Sequence, residues 1–113
     1  KQLMVWGSGM PMREFLYVDD AADALIFMME NNVNEGIFNI GTGEEISIRK
    51  LAETIMNIIG FKGEIVFDAN KPDGTPRKLV SVERLKHLGW QATTKLEDGI
   101  EKAYQDFLKH KEK

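Results

Sequence analysis

The segment from Ala21 to Met29 constrains this chain most. Eight of its nine residues are apolar, Asp23 being the exception. Asp19 or Asp20 just ahead of it suits the unpaired N–H groups and the positive dipole end of a helix. A helix capped there and running to about Asn31 is therefore expected. Its apolar side chains cover much of its circumference, and such a helix is normally buried on more than one side. With 113 residues the chain amounts to one domain or less, so few elements remain to cover that helix.

Those elements alternate between short apolar runs and helix-period segments. Gln2–Trp6, Glu14–Val18, Ile37–Ile40 and Glu64–Phe67 read as strands by their β-branched and aromatic content. Ile48–Ile59 repeats apolar residues at i, i+3, i+4 and i+7, with Ser47 as N-cap and Gly60 as the left-handed residue that ends the helix. A short helix capped by Ser81 stops at Gly89. Thr94 and Glu97 form a capping box for a last helix, whose stripe is Leu96, Ile100, Ala103, Tyr104, Phe107 and Leu108. The expected fold class is α/β, an α+β lobe in which a small mixed sheet is joined by about four helices.

Composition excludes several functions. There is no apolar run of the roughly 18 residues that a membrane span needs. Cysteine is absent, which removes disulfides, thiolate nucleophiles and Cys-based metal sites and fits a reducing, cytoplasmic setting. No His, Asp and Glu cluster has metal-ligand spacing. The net charge of −3 argues against a nucleic-acid surface. The charge is unevenly spread: residues 1–56 carry −5 and residues 57–113 carry +2. The basic excess sits between Lys71 and Lys86, which suggests one discrete anion site.

Familiar catalytic patterns fail. Gly7-Ser8-Gly9 is followed by a strand, and Met12 holds the third glycine position of a dinucleotide fingerprint. Gly41-Thr42-Gly43 leads into a helix but lacks the Gly-Lys-Ser/Thr ending of a phosphate loop, and reads as a turn. His87 and His110 have no nucleophile to serve, and neither Tyr17 nor Tyr104 is followed by Lys four residues on. No catalytic residue is assigned. What survives is a set of ligand-holding groups. Trp6 can stack on a base or sugar, or belong to the core. Arg13 can fork onto a phosphate, or pair with Glu14 or an aspartate of the next helix. Asp73 can accept from a hydroxyl or a guanine N–H edge, or serve only the Asp-Gly turn. Arg77 and Lys78 supply cations beside it.

These residues occur in a recognisable order. Trp6-Gly7-Ser8-Gly9-Met10-Pro11-Met12-Arg13-Glu14-Phe15 resembles the start of the substrate-binding region of the GDP-L-fucose synthase family. Lys71-Pro72-Asp73-Gly74-Thr75-Pro76-Arg77-Lys78 is similar to the same branch. Phe38-Asn39-Ile40-Gly41-Thr42-Gly43 resembles a run shared by the wider extended short-chain dehydrogenase/reductases that epimerise and dehydrate nucleotide sugars. The resemblance implies a Rossmann-type parent enzyme that uses NADP. It would epimerise GDP-4-keto-6-deoxy-D-mannose at C3 and C5 and reduce it at C4 to GDP-L-fucose. Trp6, Arg13 and Asp73 would be substrate contacts and Lys78 a diphosphate contact. Tyr17 departs from the family, which often has His there.

The family's glycine-rich fingerprint, its Ser and Tyr-x-x-x-Lys hydride-transfer residues and its epimerisation acid and base fall upstream of this region. The chain opens as if inside a strand, at Lys1-Gln2-Leu3. Residues 1–113 are therefore expected to be a carboxyl-terminal substrate-binding lobe cut from a longer protein and inactive alone, with the main NADP-binding residues outside it. The parent is expected to be a homodimer, and the lobe to self-associate through its uncovered apolar helix. Two other readings stand beside this one: the lobe of a different nucleotide-sugar epimerase or dehydratase, and a stand-alone interaction module.

Overall fold

A computed structural model describes residues 1–111. In chain order the elements are β1 (Gln2–Trp6), β2 (Met12–Arg13), α1 (Val18–Glu30), β3 (Ile46–Ser47), α2 (Ile48–Ile59), β4 (Glu64–Asp68), α3 (Glu83–Leu88) and α4 (Leu96–His110). The expected α/β class and its four helices are present. The strands form two ladders. β1 and β4 run parallel, from Gln2 opposite Glu64 to Trp6 opposite Asp68. β2 and β3 are antiparallel, with Met12 opposite Ser47 and Arg13 opposite Ile46.

The ends of α2 and the stop of α3 form as read. Ser47 accepts from the Lys50 N–H and Gly60 adopts φ 76°, so α2 has both its caps. Gly89 ends α3 at φ 111°. Other expectations are corrected. Neither Asp19 nor Asp20 caps α1. The N-cap is Tyr17, and both aspartates lie in the first turn, where the helix dipole still favours them. Asp20 is buried there, and a buried carboxylate must find donors. It takes the Thr94 N–H at 2.9 Å and the Thr93 and Thr94 hydroxyls at 3.2 Å. That contact displaces the Thr94–Glu97 capping box, and Lys95 becomes the N-cap of α4 without a side-chain bond. Ser81 is likewise not a cap, because α3 begins after Val82. Glu14–Val18 is no strand: pairing ends at Arg13 and the helix begins at Val18. Ile37–Ile40 joins no ladder among the described residues. The Ile37 carbonyl accepts from Arg84 at 2.6 Å, while Phe38 and Ile40 pack on the core.

That core is small. Ala24, Leu85 and Trp90 are its buried apolar residues, flanked by Phe27, Met28, Phe38, Ile40 and Ala92. α2 packs on α4 beside it. Against this, Leu25, Ile26 and Met29 of α1 and Leu3 and Met4 of β1 are exposed. The radius of gyration is 16.8 Å, well above the roughly 13 Å of a compact domain of this length. The apolar helix is thus covered on one flank, by Trp90 and Leu85, and open on the other.

Candidate functional site

Parallel pairing of β1 and β4 places their carboxyl ends side by side, so the segments leaving them meet. In open α/β sheets ligands bind at this end of the strands. Here residues 7–11 and 69–76 enclose a cavity of about 110 Å³, lined in part by Trp6, Gly9, Pro11, Arg13, Asp73 and Gly74. Three of the four binding residues expected from sequence therefore share one cavity. Lys78 does not line it and lies exposed two residues beyond Pro76.

Backbone bonds fix the first loop. Gly7 N–H donates to Asp68, Met12 N–H to Pro76, and the carbonyls of Gly9 and Pro11 accept from Arg49 and Ile48 at 2.9 and 3.0 Å. Two positions admit only glycine. Gly7 sits at φ 88°, where a Cβ would come 2.3 Å from Asp73 Oδ1, and Gly9 sits at φ 79°, where one would come 2.4 Å from the Phe67 ring. The Trp-Gly-Ser-Gly run is thereby held tight against both the second loop and β4.

Trp6 is not core. It ends β1 with 69% of its surface exposed, and the Lys71 ammonium lies 4.9 Å from its ring centroid. Arg13 does not pair with Glu14. Its Nη1 donates to the carbonyls of Met12 and Thr75 at 2.7 and 2.6 Å, which stitches β2 to the second loop. No carboxylate among the described residues forms an ion pair with it. Arg77 does form one, with Glu45. Asp73 does more than turn the chain. Ser8 donates to it twice, from N–H to Oδ1 at 2.8 Å and from the hydroxyl to Oδ2 at 2.7 Å.

The Ser8 hydroxyl and then its N–H hold the Asp73 carboxyl below its ordinary 3.8. A depressed pKa means that this link adds stability above the ordinary value and loses it as pH falls through the depressed one. The Ser8 amide proton resonance is therefore expected to titrate below pH 3.8, and a flat response across that range would contradict the link.

Sequence reading missed Ser8 because its partner is 65 residues away and no local pattern joins them. Lys71 was visible only as one member of a basic run. Tyr17, where the resembling family often has His, has its phenol pushed above 10.0 by partial burial and by Asp19, so it is uncharged at neutral pH.

The Gly41-Thr42-Gly43 turn and the start of α2 offer no free N–H cradle to a dinucleotide pyrophosphate. The Thr42 and Gly43 N–H groups already donate to Glu14 Oε2 at 3.0 and 2.5 Å. The first N–H groups of α2 are taken by Pro11, Gly9 and Ser47. No group of three or more His, Cys, Asp or Glu among these residues could hold a metal ion, and no helix is long and apolar enough to cross a membrane.

Residues 1–41 match the NAD dependent epimerase/dehydratase family. The chain is 52% identical over 106 residues to the GDP-L-fucose synthase of Sinorhizobium fredii, covering 94% of this chain and 34% of that one. Its fold superposes with a TM-score of 0.88 on a GDP-L-fucose synthetase from Naegleria fowleri bound to NADP, at 35% identity, covering 98% of this chain and 36% of that one. A GDP-6-OMe-4-keto-L-xylo-heptose reductase from Campylobacter jejuni gives a TM-score of 0.88 at 34% identity, covering 96% and 34%. The chain spans about a third of the length of the curated relatives it matches.

Proposed function

We propose, on the premise that this chain is a homologue of the GDP-L-fucose synthases, that it is the GDP-sugar-holding lobe of an NADP-dependent 3,5-epimerase/4-reductase. The substrate is GDP-4-keto-6-deoxy-D-mannose and the product GDP-L-fucose. One observation carries the reading: Trp6, Arg13 and Asp73, up to 67 residues apart in sequence, converge on one cavity at the carboxyl ends of parallel strands. A stacking face, a cationic fork and an anionic acceptor suit a base, a diphosphate and a donor-bearing sugar or base edge.

In this reading Trp6, Arg13 and Asp73 contact the substrate, and Lys78 reaches the diphosphate from the exposed segment after Pro76. The lobe contributes by positioning. Contacts to the remote nucleotide hold the hexose in place and lower the entropic part of the barrier. NADP and the acid, base and hydride-transfer residues belong to the remainder of the larger protein. The Glu14-occupied turn at residues 41–43 is consistent with this, since its N–H groups are not free for a phosphate. The exposed α1 residues Leu25, Ile26 and Met29 pack against that remainder.

The test compares GDP-mannose with UDP-glucose binding to the full-length protein, and each with Trp6→Ala. Preference for GDP-mannose is expected, with a loss of about tenfold to a hundredfold on removing the stacking ring. Preference for UDP-glucose would point to another nucleotide-sugar epimerase. Equal affinity of Trp6→Ala and wild type would remove the cavity from the reading.

A further inference from the structure

The two loops around the cavity are joined by one side chain whose role lies outside direct contact. Ser8 uses three of its polar groups at once. Its hydroxyl oxygen accepts from the Met10 N–H at 3.1 Å, its hydroxyl proton goes to Asp73 Oδ2 at 2.7 Å, and its own N–H goes to Asp73 Oδ1 at 2.8 Å. The hydroxyl accepts from Met10 and donates to the carboxylate at the same time. Both carboxylate oxygens are thus gripped from one residue, and the group can neither rotate nor drift without breaking two bonds. The grip is also sterically exclusive, since a Cβ on neighbouring Gly7 would collide with Asp73 Oδ1.

We propose that Ser8 is the positioning residue that fixes the Asp73 carboxylate at the cavity wall, so that the site selects ligands presenting hydroxyl or N–H donors at that end. This rests on the reading of the cavity as a GDP-sugar site. Each carboxylate oxygen still has acceptor capacity beyond its bond to Ser8, so a ligand donor can be added without displacing the serine. The donor pair fixes the orientation of the carboxylate, and an ionised carboxylate rejects a ligand that offers only acceptors there. The charged groups around it are Arg13, which lines the same cavity, and Lys71 on its own loop.

The experiment uses the full-length protein with GDP-mannose as probe and four variants: Ser8→Ala, Ser8→Thr, Asp73→Asn and the double Ser8→Ala/Asp73→Asn. Ser8→Ala is expected to weaken GDP-mannose binding about tenfold and to move the carbon-13 titration of the Asp73 carboxyl up toward its ordinary 3.8. Ser8→Thr, which keeps both donors, restores affinity and titration. The double variant binds no worse than Asp73→Asn, because the serine acts only through the aspartate. Wild-type affinity and an unmoved Asp73 titration in Ser8→Ala would overturn the proposal while leaving the site reading intact, as would additive losses in the double variant. Wild-type affinity in Asp73→Asn would instead overturn the site reading, and this role for Ser8 with it.

Discussion

Replacing Trp90 with alanine is expected to destabilise the protein by about 3–5 kcal/mol, the range for emptying a large aromatic site in a core. The reason is how little else this core contains. Trp90 is 6% exposed and shares the centre with Ala24 and Leu85, which are 0% and 1% exposed. Every larger neighbour is only half-buried, so surrounding side chains cannot close the gap without losing other contacts. The indole also donates from Nε1 to Asp23 at 2.9 Å, which ties the segment after α3 to α1. Trp90→Phe separates the two contributions. It keeps most of the volume and loses the N–H, for which a cost of about 1–2 kcal/mol is expected. Chemical denaturation followed by far-UV circular dichroism reads both variants. A loss below about 1 kcal/mol for Trp90→Ala would mean that the fold is held elsewhere.

Arg13→Ala is expected to carry the largest functional loss, about tenfold to a hundredfold in kcat/KM for the GDP-sugar. The guanidinium does two things at once. Nη1 is engaged by the Met12 and Thr75 carbonyls, which fixes the second loop against β2. The rest of the group carries its charge into the cavity, with no carboxylate among the described residues forming an ion pair with it. Arg13→Lys keeps a charge but loses the planar fork, so it should recover only part of the loss. Because the remote contact is used to position the hexose, the loss should appear in kcat as well as in KM. Unchanged kcat/KM in Arg13→Ala would remove the residue from the binding set. Lys78→Ala is expected to lose less, since Lys78 is outside the cavity lining.

What could be read from the sequence is what neighbouring residues decide among themselves. β1 and α2 appear where they were expected because strand content, the Ser47 cap and Gly60 are local signals. β4 extends its expected run by one residue, to Asp68. The Thr94–Glu97 box was as well formed in sequence as the Ser47 cap, yet it lost to a buried aspartate 74 residues away. Ile37–Ile40 has strand composition but no neighbouring strand among the described residues, and composition alone cannot supply a ladder. The site divides the same way. Trp6, Arg13 and Asp73 were visible as candidate chemistry, each beside a structural alternative: a core position, an ion pair with Glu14 or an aspartate, and an Asp-Gly turn. That Asp73 is gripped by Ser8, and that Arg77 is neutralised by Glu45, depends on loops meeting in space.

The parallel β1–β4 ladder has a kinetic consequence. Its first pair joins Gln2 to Glu64, 62 positions along the chain. Closing so long a loop costs entropy before any contact repays it, whereas α2 and α4 need only neighbours. The helices therefore organise early and the ladder late. Since the loops around the cavity leave the ends of that ladder, they acquire their shape only when the slowest pairing is complete. The segments that bound the cavity are thus expected to take their final shape only after a loop of 62 positions has closed.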